Sequence, residues 1–218
     1  MMSAFVVQGQ QVNRLDASYG LDPLLHNGKL YRYYVASSTV GTPFIYGNEF
    51  SRGWVKLRGV TFDGVMLNYD IFNQQLVYKY ANSYGGINQI IISDAWLEAF
   101  HFFGSDFEVH ALPDTVRRIY RVLGKGPVRI MYYGSKELII DTPVGATNLR
   151  FSSLNQTSYL YKDSTLSRFT NNRSFIRLFG EEQRPELKKY MRHNRVSVKR
   201  SDDGELSKLL EFCNTTLQ

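Results

Sequence analysis

Residues 54–80 read WVKLRGVTFDGVMLNYDIFNQQLVYKY, and this stretch decides the fold. Val55 and Leu57 alternate with Trp54, Lys56 and Arg58. Val65, Leu67, Tyr69 and Ile71 share one face, opposite Met66, Asn68 and Asp70. A period of two is the pleat of a β-strand. Asp63-Gly64, set between apolar residues, predicts a type I′ hairpin turn, because both residue types tolerate positive φ. After Asn73-Gln74, residues 76–80 form the next strand, and the whole reads as an antiparallel meander.

The pattern extends outward. Tyr31, Tyr33 and Val35 alternate with Arg32 and Tyr34, and residues 87–93 and 107–112 repeat the strand signature. Residues 118–123 and 128–133 flank Gly124-Lys125-Gly126-Pro127, a second hairpin, and a strand over 137–141 follows Gly134-Ser135. The Thr, Ser, Asn and Gly content of residues 142–157 predicts a loop, and residues 159–162 a last short strand.

The period then changes. Leu166 and Phe169 are three apart, and Phe175, Leu178 and Phe179 have i, i+3, i+4 spacing before Gly180. Pro185 suits a first helical turn, and Leu187, Tyr190 and Met191 make an apolar stripe. Asp202 and Glu205 have capping-box spacing ahead of Leu206, Leu209, Leu210 and Cys213. The expected architecture is α+β: an antiparallel β-rich body over residues 10–163, as a meander, barrel-like sheet or sandwich. Short amphipathic helices over residues 164–218 pack on it.

Composition narrows the function classes. The chain has 218 residues, 43% hydrophobic and 21% charged, which suits a folded core and not a disordered chain. No apolar run approaches the roughly 18 residues of a membrane-spanning helix. The net charge of +6 is local: residues 1–164 carry +2 and residues 165–218 carry +4. The excess centres on residues 184–200, including Lys188, Lys189 and Arg192. Such a run is either a solvated helix face or a contact for an anionic partner. Because the charge is confined to the tail, nucleic acid is not an expected partner. Cys213 is the one cysteine, so an internal disulfide is excluded. Its place on the stripe of Leu206, Leu209 and Leu210 makes it a small core residue.

Residues 1–9 form a short apolar stretch in which Val7 and Gly9 fit positions −3 and −1 of a signal-peptidase cut before Gln10. Read as the remnant of a signal peptide, they make the protein exported, to the periplasm or cell surface. An ordinary apolar first strand is the alternative.

A resemblance bears on this. Trp54-Val55-Lys56-Leu57, Phe62-Asp63-Gly64-Val65, Leu67-Asn68-Tyr69-Asp70 and Gln75-Leu76-Val77 belong to it, with Phe175-Ile176-Arg177-Leu178-Phe179, Leu187-Lys188-Lys189-Tyr190 and Asn194-Arg195-Val196 in the tail. The chain resembles a group of uncharacterised exported proteins of the Bacteroides–Flavobacterium group. The resemblance implies export and a β-rich body with a helical tail, and carries no activity onto any residue.

Motifs of chemistry are sparse. Gly85-Gly86 and Gly124-Lys125-Gly126 lack the Lys-Ser/Thr and helix of a phosphate loop, and neither a G-x-S-x-G elbow nor an H-E-x-x-H pair occurs. Asp106, Glu108 and His110 point to one face of a strand, with His101 a turn away. They are the candidate metal or proton-transfer group, and also what a solvated edge strand looks like. The 15 Tyr and 14 Phe weigh more. Tyr31, Tyr33, Tyr78, Tyr80 and Tyr132 are candidates for stacking on a sugar or a partner's side chains, against the alternative that Tyr simply suits strands. No cofactor is expected. The expected function is an accessory binding or interaction module of the cell envelope, its partner an envelope protein or a glycan. The rivals are an envelope hydrolase or metal-dependent enzyme using residues 101–110, and an anion binder using residues 184–200.

Overall fold

The fold was obtained as a computed structural model and describes residues 22–33, 36, 38–82, 84–111, 117–141 and 148–216. Residues 1–9 lie outside the described residues. A short helix α1 (Pro23–His26) is followed by strands β1 (Lys29–Leu30), β2 (Ser51–Leu57), β3 (Val60–Asp70), β4 (Gln75–Ala81), β5 (Ile87–Ile91), β6 (Leu97–Phe102) and β7 (Ser105–Ala111). Then come β8 (Arg117–Leu123), β9 (Arg129–Ser135), β10 (Leu138–Asp141), β11 (Asn148–Phe151), β12 (Asn155–Lys162) and β13 (Thr165–Phe169). Helices α2 (Asn172–Arg177), α3 (Arg184–His193) and α4 (Asp203–Thr216) end the chain.

Eleven strands form one antiparallel sheet in the order β1-β5-β4-β3-β2-β6-β7-β8-β9-β12-β13, and β10 pairs with β11 separately. The order is that of two meanders, β2–β5 and β6–β9 extended by β12 and β13, joined where β6 crosses back to pair with β2, and the sheet is open at both ends and not closed into a barrel. The sheet nevertheless curls: Gln74, at the β3–β4 turn, donates to the Gly134 carbonyl of β9 at 3.1 Å. Val65, Leu67, Tyr69 and Ile71 are all buried on the inner face, as their alternation requires. There they meet Phe100 and Phe107, whose rings stack at 4.6 Å. Asn68 and Asp70, on the other face, are also fully buried. Asp70 is satisfied by Tyr31 Oη (2.9 Å) and by the backbone and side-chain nitrogens of Asn73, as a carboxylate out of water must be.

Farther along, the same inner face is covered by the helices. Val128, just before β9, and Ile130, Tyr132, Leu160 and Phe169 of the sheet share a core with Phe175, Leu187, Met191, Leu206, Leu209, Leu210 and Cys213. Each fully buried leucine there contributes about 1.5–3 kcal/mol. Asn171 caps α2 through the Ser174 amide (2.9 Å), and Asp202 caps α4 through the Glu205 amide (2.8 Å). Tyr190 of α3 stacks on Phe212 of α4 at 4.1 Å. No helix among the described residues is long and apolar enough to cross a membrane.

Several local expectations are corrected. The tight turn before β3 is Arg58-Gly59 (φ 47° and 80°), whereas Asp63-Gly64 lies inside β3. Gly53 pairs with Val65 and Trp54 with Asp63, so Gly64, at φ 73°, is the extra residue of a bulge. Both sites needed positive φ, and the arginine before Gly59 concealed the true turn. Leu166 and Phe169 lie on β13, which pairs with β12 across the turn Asp163-Ser164 (φ 51° and 58°). The sheet therefore runs past residue 163 to Phe169. Within the expected loop 142–157, β11 and the start of β12 are strands, and residues 142–147 lie outside the described residues. Around Tyr31 only β1 is strand, and Tyr34 and Val35 lie outside the described residues.

Candidate functional site

The curl of the inner face leaves a cleft between the sheet, the segment before β2 and the start of α4. A cavity of about 340 Å³ occupies it, floored by Tyr69, Ile71, Phe107, Ile119 and Tyr132. That volume falls within the roughly 300–1,000 Å³ of small-ligand sites. Ser105, Arg121, Gln156 and Asp203 supply the polar lining, and Tyr46, Phe103 and Leu154 the rim.

The rim rings face water although they are aromatic: Tyr46 is 40% exposed and Phe103 43%. They meet edge to face at 5.9 Å, and the Tyr46 hydroxyl lies 2.8 Å from Ser105 Oγ. Phe103 and Gly104 make the β6–β7 turn, at φ 48° and 70°. Positive φ is costly for a bulky side chain, and glycine, asparagine and aspartate dominate such turns. Phe103 holds this strained turn with its ring against Tyr46 and Phe102 (5.6 Å) and its outer side in water, and strained positions of this kind cluster at binding sites.

The polar side centres on Arg121 of β8. Its guanidinium lies 4.6 Å from the centre of the Tyr132 ring, and it grips Asp203 at 2.5 and 3.3 Å. Burial works against the arginine's charge, but the bonds to Asp203 outweigh it and raise its pKa. Burial also pushes the Tyr132 phenol up to about 12, so it stays a neutral platform under the cation. Two further cavities, of about 460 and 550 Å³, also touch Arg121 and Asp203. The pair thus stands where three hollows meet. No protein family, curated protein or solved structure matches the chain.

The sequence candidates fall in different places. Among the five tyrosines, Tyr132 lines the cleft. Tyr31 is tied to Asp70, and burial raises its pKa. Tyr78 and Tyr80 stack at 5.2 Å beneath His26, and Tyr33 is exposed. Asp106, Glu108 and His110 do share the outer face of β7, an interior strand between β6 and β8. There His101 Nδ1 pairs with Asp106 (2.7 Å) across the hairpin, while Glu108 is held by His110 (2.8 Å) and Arg129 (2.6 Å). Among the described residues no three His, Cys, Asp or Glu side chains come together as a metal would need. Lys188, Lys189 and Arg192 lie on the exposed side of α3, with Leu187 and Met191 buried beneath.

Of the cleft's residues, Tyr132 alone stands among the sequence candidates. Phe103-Gly104 between two alternating runs was the available signal for a hairpin tip. The Arg121–Asp203 pair spans 82 positions and leaves no mark on local spacing.

Proposed function

We propose that the protein is an exported binding module of the cell envelope whose cleft holds a saccharide. The observation that carries this reading is Phe103, an exposed aromatic kept at a strained turn beside Tyr46 and opposite Arg121, Gln156 and Asp203. Sugar rings present a flat C–H face and an edge of hydroxyls. Aromatic rings cover the first, and planar groups that make paired hydrogen bonds engage the second. The cleft offers both within one cavity. Export is supported by the apolar stretch at residues 1–9.

Titration of the purified chain with a panel of oligosaccharides, followed by calorimetry and by amide shifts, tests the binding. Saturable binding that shifts the amides of residues 103–105 and is lost in Phe103→Ala and Gln156→Ala is expected. Absence of binding by any saccharide, or binding indifferent to both substitutions, overturns it. Fractionation of the native host, with N-terminal sequencing of the recovered protein, tests export.

A further inference from the structure

The proposal concerns the chemistry of the cleft's ligand and rests on the saccharide reading. Arg121 and Asp203 are unequal partners. The arginine side chain is 18% exposed and is fixed from below by the Tyr132 ring, whereas the Asp203 side chain is 55% exposed. The cap of α4 is made by Asp202, so Asp203 is not its capping residue. A guanidinium presents a rigid fork that suits any planar oxyanion, and it prefers to be paired when it is partly buried. Asp203 therefore holds the Arg121 fork through a paired contact while its own side chain stands half in water.

On the side of β12 and β13 the surroundings favour a negative replacement, whereas the hollow on the other side sets Asp106 and Glu211 against Lys125. The neighbouring cavity of about 460 Å³ is bordered by Arg121, Arg168 and Lys199 against the single carboxylate of Asp203, with Gln156, Thr157, Ser158, Thr170 and Ser201 between them. A concave, polar hollow with an excess of one sign concentrates the opposite charge.

We propose that the saccharide is acidic, and that its oxyanion, a carboxylate or a sulfate, takes the place of Asp203 on Arg121. Asp203 then acts as an internal competitor that covers the arginine while the site is empty and swings into water when the ligand arrives.

The test uses the full chain and three probes: a uronic-acid trisaccharide, the same trisaccharide with its carboxylates reduced to alcohols, and a sulfated trisaccharide. An acidic probe should bind at least about tenfold more tightly than the reduced one, the scale of one charge-assisted contact. The tighter of the two acidic probes identifies the oxyanion. Asp203→Asn, which preserves shape, should raise affinity for that probe severalfold and leave the reduced probe unchanged. Arg121→Gln, which removes the charge, should abolish the preference. Equal affinity for acidic and reduced probes, or weaker acid binding in Asp203→Asn, overturns the proposal while leaving the saccharide reading in place. Binding of none of the three overturns the proposal, and silence of the unaltered chain across the wider panel overturns the saccharide reading as well.

Discussion

Phe103 and Tyr46 hold their rings edge to face, 5.9 Å apart, at the lip of the cleft, and Phe103 does so from a backbone position that suits asparagine. Stability and binding therefore make opposite demands on one residue. Phe103→Asn relieves the turn and gives up a half-exposed ring. We expect unfolding free energy to be unchanged or to rise by up to about 1 kcal/mol, with saccharide binding lost. Urea denaturation beside calorimetry checks both halves. A variant that is clearly less stable would mean that the ring serves packing.

The fold was legible where local chemistry and tertiary position agree. The alternation in residues 65–71 survives because the inner face of β3 is buried along its length. The stripe of Leu206, Leu209, Leu210 and Cys213 survives because α4 buries one side. Legibility failed where two structures want the same residue. Gly59 and Gly64 both need positive φ, yet one closes a hairpin and the other bulges a strand. On β13, an edge strand, Leu166 and Phe169 lie on opposite faces, and three-residue spacing imitates a helix. The cleft was hidden for a further reason: Tyr46, Phe103, Arg121 and Asp203 come from four separate segments, and the curl of the sheet alone unites them.

The bulge glycines should separate cleanly. A Cβ on Gly53 would run into the His101 carbonyl of the adjoining strand, so Gly53→Ala must part β2 from β6. A Cβ on Gly64 meets nothing, and its cost is the positive φ alone. We expect about 1–2 kcal/mol for Gly64→Ala and at least about 3 kcal/mol for Gly53→Ala. Denaturation midpoints compare them. Equal losses would show that β2 and β6 do not approach as closely as described.

Glu108 should make the acid limb of stability. The bond from His110 holds its pKa below the ordinary 4.5; partial burial opposes this, and the charge of Arg129 assists. A depressed carboxylate contributes stability that is present above its unfolded pKa and lost as pH falls through the folded one. Glu108→Gln should therefore cost about 1–2 kcal/mol at pH 6, where Arg129 loses its counter-charge, and progressively less as pH falls below 4.5 through the folded pKa. Urea midpoints across pH 2–6 measure the difference. A gap that does not shrink with acid would remove the ion pair as its source.

Cys213 should mark the alkaline limb. The thiol lies in the core beneath α4, and burial pushes its pKa from 9.0 up to about 12. A group whose folded pKa is raised contributes stability that is intact below the unfolded value and lost as pH rises toward the folded one. The native chain keeps the proton while the unfolded chain releases it. Across pH 9–12 this thiol removes at most about 1.4 kcal/mol per pH unit. Tyr132, pushed up from 10.0 to about 12, acts in the upper part of the same window, so the thiol's share is read from a variant. Cys213→Ala should lower stability at pH 7 by about 1–2 kcal/mol for the lost volume, yet decline less steeply between pH 9 and 10, before the phenol contributes. The same burial predicts that a thiol reagent at pH 8 labels Cys213 only at the rate of unfolding or local opening of α4, and promptly in denaturant. Rapid labelling of the native protein, or parallel alkaline limbs in the two chains, would place Cys213 outside the core.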